Sequence, residues 1–284
     1  MMKAPPMGWR FFFEFIMPAN PLTSFAKRLH AGPAAFAAWS GMKDPAVIEC
    51  MLNEGFDCAI IDWQHGFHDF ASVQSAIAAT HARGAASMVR IGVGQYAEAA
   101  RMLDWGAAGV IAPMINSVAD AKLFADTVKY PPMGSRSWGP ARALPVSELE
   151  PVTYLQSANN FSLAIAMIET RDALAALDDI LAVEGIDGVL VGPSDLSIAL
   201  TRGGTVNAAH PDVDAALTRV AESARKHKKL ACAFCMDGTR AGELAGRGFH
   251  LLSIGQDQIL LRLAAKQELA KARTNVPASK GASY

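Results

Sequence analysis

Short apolar runs alternate with longer amphipathic stretches along most of this chain. Eight continuous apolar runs predict buried strands, and they span residues 34–39, 57–61, 86–91, 108–113, 162–168, 187–192, 229–234 and 249–255. The stretches between them, such as FASVQSAIAATHARG and VDAALTRVAESARKH, repeat apolar residues every three or four positions, which is typical of helices with one buried face. Continuous apolar strands separated by helices indicate a parallel sheet that is covered on its outer side. Eight such units predict an α/β fold, a single (β/α)8 TIM barrel.

A further helix is predicted before the first strand, over residues 21–29. Asn20 can cap this helix, Pro21 fits its first turn, and Gly32 follows its end. With no internal repeat and no linker between the strands, we expect one barrel domain over residues 20–273.

The two ends of the chain are predicted to lie outside the barrel. Residues 1–19 are interpreted as an extension that is disordered or not native, and residues 274–284 as a flexible tail. The run FFFEFIM resembles the apolar part of a signal peptide, but Glu14 interrupts it and no small-residue cleavage site follows. Met17 is an alternative natural start.

Composition and charge argue against a nucleic-acid-binding protein and against a membrane protein. The chain has 284 residues, 51% of them hydrophobic, and a net charge of −1 without a basic stripe, which argues against nucleic acid as a partner. No uninterrupted apolar stretch reaches the ~18–20 residues that a membrane span requires, so no membrane association is expected. Four cysteines suit a reducing cytoplasm. Cys232 and Cys235 form a CxxC within a predicted strand, which predicts buried structural thiols.

The longest connection between predicted strands covers residues 131–161. It contains YPPMGSRSWGPARAL, which is rich in proline, glycine and arginine. Because it follows the fourth strand and long loops often carry function, we expect it to form a lid facing the substrate.

Two carboxylates carry the strongest chemical signal. Glu169 ends the run SLAIAMIET, and Asp195 follows the next predicted strand in DGVLVGPSDL. In an α/β barrel the carboxyl ends of the strands open onto one face, so both acids would reach the same pocket and could bind Mg²⁺ or Mn²⁺. The alternative interpretation is that Glu169 begins a helix and Asp195 caps the next one.

Other polar residues follow neighbouring strands at the same predicted face. Asp62 and His65 follow the second strand in IIDWQHG, where Asp62 could hold the His65 imidazole and make a general acid and base of it. Arg90 ends the third strand, and a buried guanidinium is costly unless it is paired. Binding of an anionic substrate, whose carboxylate fits the planar guanidinium, is favoured over a structural ion pair.

A tight turn follows the sixth strand. Gly192, Pro193 and Ser194 lead into a predicted helix and would expose backbone N–H groups beside Asp195. A small carboxylate could bind there, although glycine and proline at a strand end are also common turn residues.

At these residues the chain resembles the HpcH/HpaI family of class II, metal-dependent pyruvate aldolases, over residues 22–270. IIDWQHG is similar to the family motif of the second strand, Val89 and Arg90 match the third, and the block from IETRDALAALDDILAVEGIDGVLVGPSDLS to GFHLLSIGQD follows its pattern. Met167 stands where many members have glutamine, and Gln64 replaces the usual acid. Residues 135–138 also differ, which leaves the acceptor aldehyde open.

The resemblance implies a mechanism. A divalent metal (Mg, Mn or Co) would be held by Glu169 and Asp195, with pyruvate completing its coordination. Arg90 would hold the keto acid and stabilise its enolate, and His65, oriented by Asp62, would exchange the proton of the aldol hydroxyl. Family members form hexamers with an exchanged C-terminal helix, so a homo-oligomer, hexamer or trimer, is expected.

The function predicted is formation or cleavage of a C–C bond between a pyruvate-type enolate, from pyruvate or hydroxypyruvate, and an aldehyde. Oxaloacetate decarboxylation, citrate-lyase-type cleavage of a thioester and, more distantly, a non-catalytic barrel that binds a keto acid are the alternatives. A Schiff-base aldolase would need a lysine at a strand end. The nearest candidates, Lys43, Lys129, Lys228 and Lys229, fall in loops or at element starts.

Overall fold

The computed structural model describes residues 19–274. Eight parallel strands close into a barrel in sequence order, with β8 paired to β1, which confirms the predicted TIM barrel. The strands are β1 (Ala35–Ser40), β2 (Cys58–Asp62), β3 (Ala86–Arg90), β4 (Gly109–Ala112), β5 (Leu163–Ile168), β6 (Gly188–Val191), β7 (Leu230–Ala233) and β8 (Leu251–Ser253).

Helices surround the barrel and connect its strands. They are α1 (Pro21–Ala31), α2 (Pro45–Asn53), α3 (Phe70–Ala82), α4 (Tyr96–Trp105), α5 (Val118–Val128), α6 (Ala143–Ser147), α7 (Pro151–Phe161), α8 (Arg171–Ala175), α9 (Leu177–Leu181), α10 (Pro193–Leu200), α11 (Pro211–His227), α12 (Gly238–Gly246) and α13 (Asp257–Thr274). No helix among residues 19–274 is long and apolar enough to cross a membrane.

The predicted opening helix is present as α1. The Asn20 side chain accepts a hydrogen bond from the Leu22 amide at 3.0 Å, Pro21 occupies the first turn, and Gly32 follows the last residue. Leu22, Phe25, Ala26 and Leu29 are buried, and α1 packs against α7 at the N-terminal end of the barrel. The predicted domain boundaries stay predictions, since residues 1–18 and 275–284 lie outside the described part.

Alternate positions of each strand face opposite sides of the barrel wall. In β2, Cys58 and Ile60 belong to the buried cluster that fills the barrel interior, whereas Ala59 and Ile61 pack against the surrounding helices. Because both faces of each strand are buried, the strands appear in the sequence as continuous apolar runs.

The CxxC cysteines follow the same rule. Cys232 faces the interior and Cys235 belongs to the outer cluster. Both are buried free thiols, and burial raises the pKa of each to about 12. They are structural residues, as predicted.

Residues 131–161 do not form a lid, so this prediction is wrong. The chain reaches them after α5, and a connection from a helix to a strand lies at the N-terminal end of a barrel. Arg142 donates a hydrogen bond to the Trp105 carbonyl at the end of α4, 2.8 Å away, and α7 packs on α1. None of these residues lines the cavity at the carboxyl ends of the strands. The connection after β4 at that face is short, at residues 113–117.

Lys129 also lies at the N-terminal end of the barrel. Its ammonium is buried and contacts the Asp187 carboxylate at 2.7 Å and the Ser162 carbonyl. Both partners directly precede strands, so Lys129 stabilises the end of the barrel opposite the strand carboxyl ends. Lys129 is therefore not placed at the carboxyl ends of the strands, where a Schiff-base lysine would lie.

Candidate functional site

A cavity of about 290 Å³ opens at the carboxyl ends of the strands. It is lined by residues at or after the ends of β2, β3, β6 and β7, together with residues of β1 and β5 and two glutamines at the start of α13. The predicted site residues that line it are Asp62, His65, Arg90, Gly192, Pro193, Ser194 and Asp195. Glu169 lies deeper, with 2% of its surface exposed.

Asp62 and Arg90 form a two-point ion pair at the floor of this cavity. Arg90 Nε lies 3.0 Å from Asp62 Oδ1, and Nη2 lies 2.6 Å from Oδ2. Trp39 packs its ring 4.9 Å from the guanidinium carbon and donates its indole N–H to Asp62 Oδ2 at 3.2 Å. Burial by itself would raise the pKa of Asp62, but the hydrogen bonds and charge of Arg90 outweigh it and hold the pKa below its usual value.

This pairing changes the predicted role of Arg90 in binding a substrate carboxylate. Nε and Nη2 of Arg90 are used by Asp62, so the planar pair of donors is not free for a substrate carboxylate. Among the described residues Nη1 has no hydrogen-bond partner, and Arg90 remains part of the cavity lining. The structural ion pair and a role toward substrate are therefore compatible.

The prediction that Asp62 holds the His65 imidazole is wrong. Asp62 Oδ1 accepts hydrogen bonds from the backbone amides of Gln64 and His65, each at 3.1 Å. The carboxylate thus fixes the turn that carries His65 rather than its ring. The ring is exposed at the edge of the cavity, where it is free to meet a substrate.

Glu169 follows β5 and is held from the neighbouring β4–α5 connection. Its Oε1 accepts a hydrogen bond of 2.7 Å from the amide of Met114, whose φ of 56° is in the left-handed region. Burial raises the pKa of Glu169, and the charge of Asp195 adds to this rise, whereas the Met114 amide and the charge of Arg90 oppose it. A carboxylate that is buried beside another acid favours a nearby cation.

Gly192 makes room for this carboxylate. A Cβ placed on Gly192 would lie 2.7 Å from Glu169 Oε2, which is closer than such contacts normally occur. A glycine at this turn therefore lets the backbone before α10 approach the carboxylate.

In the alternative interpretation Glu169 begins a helix and Asp195 caps the next one, and the structure does not place Asp195 at a cap position. Thr170, not Glu169, caps α8, and Asp195 stands in the first turn of α10, whose cap residue is Gly192 without a side-chain cap. Neither acid is used for capping, so both remain available at the cavity.

The donor set suits a hard divalent cation. Two carboxylates that follow neighbouring strands offer oxygen ligands, which Mg²⁺ and Mn²⁺ prefer over nitrogen or sulfur. No group of three or more histidine, cysteine and acidic residues within 19–274 is arranged to hold a metal. If these two carboxylates held a cation, coordination positions would remain for a substrate and water, as a catalytic rather than a structural metal requires.

Six further residues that line the cavity were not predicted as site residues: Trp39, Phe67, Met167, Phe234, Gln256 and Gln258. Trp39 and Phe234 meet edge to face with ring centroids 5.0 Å apart. Trp39 lies at the end of β1 and Phe234 directly follows β7, so the rule that singled out Arg90 and Glu169 could have found these two. Gln258 already belongs to α13.

Comparison with known proteins adds to this geometry. The family model described as HpcH/HpaI aldolase/citrate lyase matches residues 36–264. The chain is 36% identical over 242 residues to a hydroxypyruvate/pyruvate aldolase from Rhizorhabdus wittichii, covering 85% of this chain and 95% of that protein.

Solved structures share the architecture. An HpcH/HpaI aldolase from Desulfitobacterium hafniense matches with a TM-score of 0.80 and 27% identity, covering 89% of this chain and 97% of that one. A citrate lyase β subunit from M. tuberculosis, complexed with oxaloacetate and magnesium, has a TM-score of 0.52 and 19% identity over 82% of this chain and 96% of that one. This second likeness concerns the fold alone.

Proposed function

Because the chain belongs to the HpcH/HpaI aldolase/citrate lyase family, we propose that it is a divalent-metal-dependent aldolase acting on a pyruvate-type enolate and an aldehyde. The observation that carries the proposal is the meeting of Glu169, Asp195 and Arg90 at one barrel mouth. The hydroxypyruvate/pyruvate aldolase named above supports pyruvate or hydroxypyruvate as the keto acid.

Glu169 and Asp195 would hold the cation, which can be Mg²⁺, Mn²⁺ or Co²⁺. A cation bound there would act as a Lewis acid and stabilise negative charge on the keto oxygen of the substrate. Burial of Glu169 strengthens its attraction for a cation, because the surroundings screen its charge poorly. The hydrogen bond from Met114 fixes Oε1, so that Oε2 is the oxygen facing the turn at Gly192.

Arg90 would provide a second positive charge for the developing enolate. Its ion pair with Asp62 and its contact with Trp39 hold the guanidinium rigidly. A fixed charge of this kind stabilises the transition state without reorganisation during the reaction. We assign the substrate contact to Nη1, since Asp62 uses the other two donors.

The carboxylate of the keto acid would bind at the start of α10. Ser194 and Asp195 carry first-turn backbone N–H groups, and Pro193 before them has none. Gly192, Pro193 and Ser194 line the cavity beside Asp195, so a carboxylate placed there would lie next to the metal ligands.

His65 would move the proton of the aldol hydroxyl. It lies at the edge of the cavity on the turn that Asp62 fixes through backbone hydrogen bonds. An imidazole exposed to the cavity can accept that proton during cleavage and return it during synthesis.

The cavity lining favours an aldolase over a thioester lyase. A thioester of coenzyme A carries phosphates and would require a basic approach, whereas Arg90 is the single lysine or arginine among the described lining residues and is already paired. Oxaloacetate decarboxylation uses the same enolate and remains the second candidate, supported by the same metal ligands.

The proposed assembly is a homo-oligomer, a hexamer or trimer, in which α13 packs on a neighbouring subunit. Residues 261–274 of this helix are exposed, and Leu261, Leu263 and Leu269 each expose half or more of their surface. An isolated helix with exposed leucines gains stability by burying them. Light scattering of the full chain, compared with a Leu261→Ser and Leu269→Ser variant, tests this. We also propose a cytoplasmic location, based on the free cysteines.

The deciding experiment is a panel of aldehydes with pyruvate and with hydroxypyruvate, assayed with Mg²⁺, Mn²⁺ or Co²⁺ and after removal of metal by EDTA. We expect metal-dependent C–C bond formation and metal-dependent hydrogen–deuterium exchange at the pyruvate methyl. Oxaloacetate is assayed in parallel. Exchange that survives complete metal removal would contradict the proposed mechanism.

A further inference from the structure

Two glutamines enter the cavity from the connection between β8 and α13. Gln256 and Gln258 both line it, and Asp257 between them is buried. Asp257 Oδ2 accepts hydrogen bonds from the backbone amides of Gly41 and Met42, each at 2.9 Å. This clamp ties the start of α13 to the β1–α2 loop and directs the two flanking side chains into the cavity.

The two amides converge on Gly41. A Cβ built on Gly41 would lie 2.2 Å from Nε2 of Gln256 and 3.1 Å from Nε2 of Gln258. Glycine at this position leaves the space that the amide ends occupy. Within residues 19–274 neither amide side chain has a hydrogen-bond partner. The cavity therefore contains two neighbouring groups that each offer a donor and an acceptor.

The glutamine amides lie at Gly41, directly after β1, and β1 is opposite β5 in the closed barrel. Glu169 and Asp195 follow β5 and β6, whereas the glutamines follow β8, which pairs with β1 in the closed barrel, and β1 pairs with β2. His65 follows β2, which pairs with β1, and the Phe67 amide of the same connection donates a hydrogen bond to the Gly41 carbonyl at 2.7 Å. His65 therefore lies on the same side of the mouth as the two glutamines. A keto acid bound at the two acids would therefore meet its aldehyde on the side of His65, Gln256 and Gln258.

Chemistry identifies the class of aldehyde. A neutral amide both donates and accepts, which matches a hydroxyl group, whereas an aldehyde bearing a carboxylate would need a cation on that side. Arg90 belongs to β3 and is already paired with Asp62. A site with polar groups placed for a substrate hydroxyl discriminates against the analogue that lacks it, because those groups would lose water without replacement.

We propose that Gln256 and Gln258 recognise a hydroxyl of the acceptor aldehyde and make the enzyme selective for hydroxylated aldehydes over hydrocarbon aldehydes. The inference rests on the proposed aldolase function and extends it to the acceptor.

The test compares matched aldehydes with pyruvate as donor: glycolaldehyde against acetaldehyde, and glyceraldehyde against propanal. For each variant, kcat/KM for the hydroxylated aldehyde is divided by kcat/KM for its hydrocarbon partner. A general loss of activity lowers both values equally and leaves this ratio unchanged. We expect the wild-type ratio to favour the hydroxylated aldehyde and to fall about 10-fold in Gln256→Leu or Gln258→Leu, as expected for loss of one hydrogen bond of ~1.4 kcal/mol. Gln156→Leu, an exposed glutamine on α7, is the matched control and should keep the ratio.

A Gly41→Ala variant tests the same inference without removing either glutamine. Its methyl would displace the Gln256 amide and crowd the Gln258 amide, so the ratio should fall in the direction seen for the leucine variants. A wild-type ratio near one, or a ratio unchanged in all three variants, overturns the inference.

Pyruvate exchange separates this result from failure of the proposed function. Metal-dependent exchange at the pyruvate methyl requires no aldehyde. If wild-type protein lacks this exchange, the aldolase proposal itself fails. If exchange is present and the aldehyde ratios do not respond, only the assignment of the glutamines fails.

Discussion

Asp62 and Arg90 occupy paired positions of β2 and β3 and join through two hydrogen bonds, at 3.0 Å and 2.6 Å. Only 2% of the Asp62 side chain and 11% of the Arg90 side chain are exposed. A buried ion pair is far more sensitive to loss of one partner than an exposed one, because the remaining charge stays desolvated. This pair therefore links the stability of the barrel to the charge of its cavity.

The first prediction concerns that stability. Asp62→Asn should lower the free energy of unfolding by about 3–5 kcal/mol, since it leaves the Arg90 charge unpaired. The matched control is Glu98→Gln, which breaks the exposed pair with Arg101 and should cost less than about 1 kcal/mol. Urea denaturation measures both. An Asp62→Asn variant as stable as the control would mean that the pair contributes nothing.

The second prediction is a pH dependence. The pKa of Asp62 is lowered in the folded protein, so its contribution is fully present above the unfolded value of about 3.9 and is lost as the pH falls toward the folded value. The difference in unfolding free energy between wild type and Asp62→Asn should be constant from pH 5 to 7 and should shrink below about pH 4. Urea titrations across this range test the prediction. A difference in unfolding free energy that grows on acidification would contradict it.

The third prediction concerns the two acids. Glu169→Ala and Asp195→Ala should each abolish activity while the fold is retained, because one remaining ligand holds the cation weakly. Mn²⁺ binding by calorimetry and circular dichroism measure the two effects separately. Glu184→Gln, an exposed acid before β6, is the control and should bind Mn²⁺ as wild type does. Wild-type Mn²⁺ affinity in either alanine variant would remove that acid from the site.

The fourth prediction addresses Arg90. Arg90→Lys should lose function although the positive charge is kept, because an ammonium cannot keep two contacts with Asp62 and also present a donor to the substrate. We expect kcat/KM to fall about 10²–10³-fold, the usual effect of losing one charge-stabilising donor. Pyruvate exchange should fall in parallel. Normal exchange in Arg90→Ala would leave Arg90 a purely structural role.

The fifth prediction separates two chemical steps. His65→Ala should slow aldol cleavage by about 10²–10⁴-fold and should affect pyruvate exchange less, because Arg90 and the two acids are intact. Retro-aldol turnover and exchange are measured on the same variant. An equal fall in both rates would place His65 in enolisation as well, and unchanged rates would exclude it from the mechanism.

The fold was predictable because the burial of each strand and helix determines the pattern of its apolar residues. Strands covered on both faces must be apolar throughout, as β5 (Leu163–Ile168) is, and each is followed by an amphipathic helix. The same rule located Glu169, Arg90 and Asp195, because a charged residue directly after a buried strand must lie at a barrel rim. The lid was predicted at the wrong end of the barrel because residues 131–161 were treated as the loop after β4, whereas they follow α5.

Side-chain partners were decided only by the tertiary structure. The sequence determined that Asp62, His65 and Arg90 lie at one rim, but Asp62 is three residues from His65 and 28 from Arg90. Proximity in sequence favoured the imidazole, whereas the parallel register of β2 and β3 placed Asp62 beside the guanidinium. Likewise, the approach of Gln256 to Gly41 arises only when β8 closes on β1. Periodicity encodes which side of an element is buried, whereas register and ring closure depend on contacts between distant segments, and these select the partners.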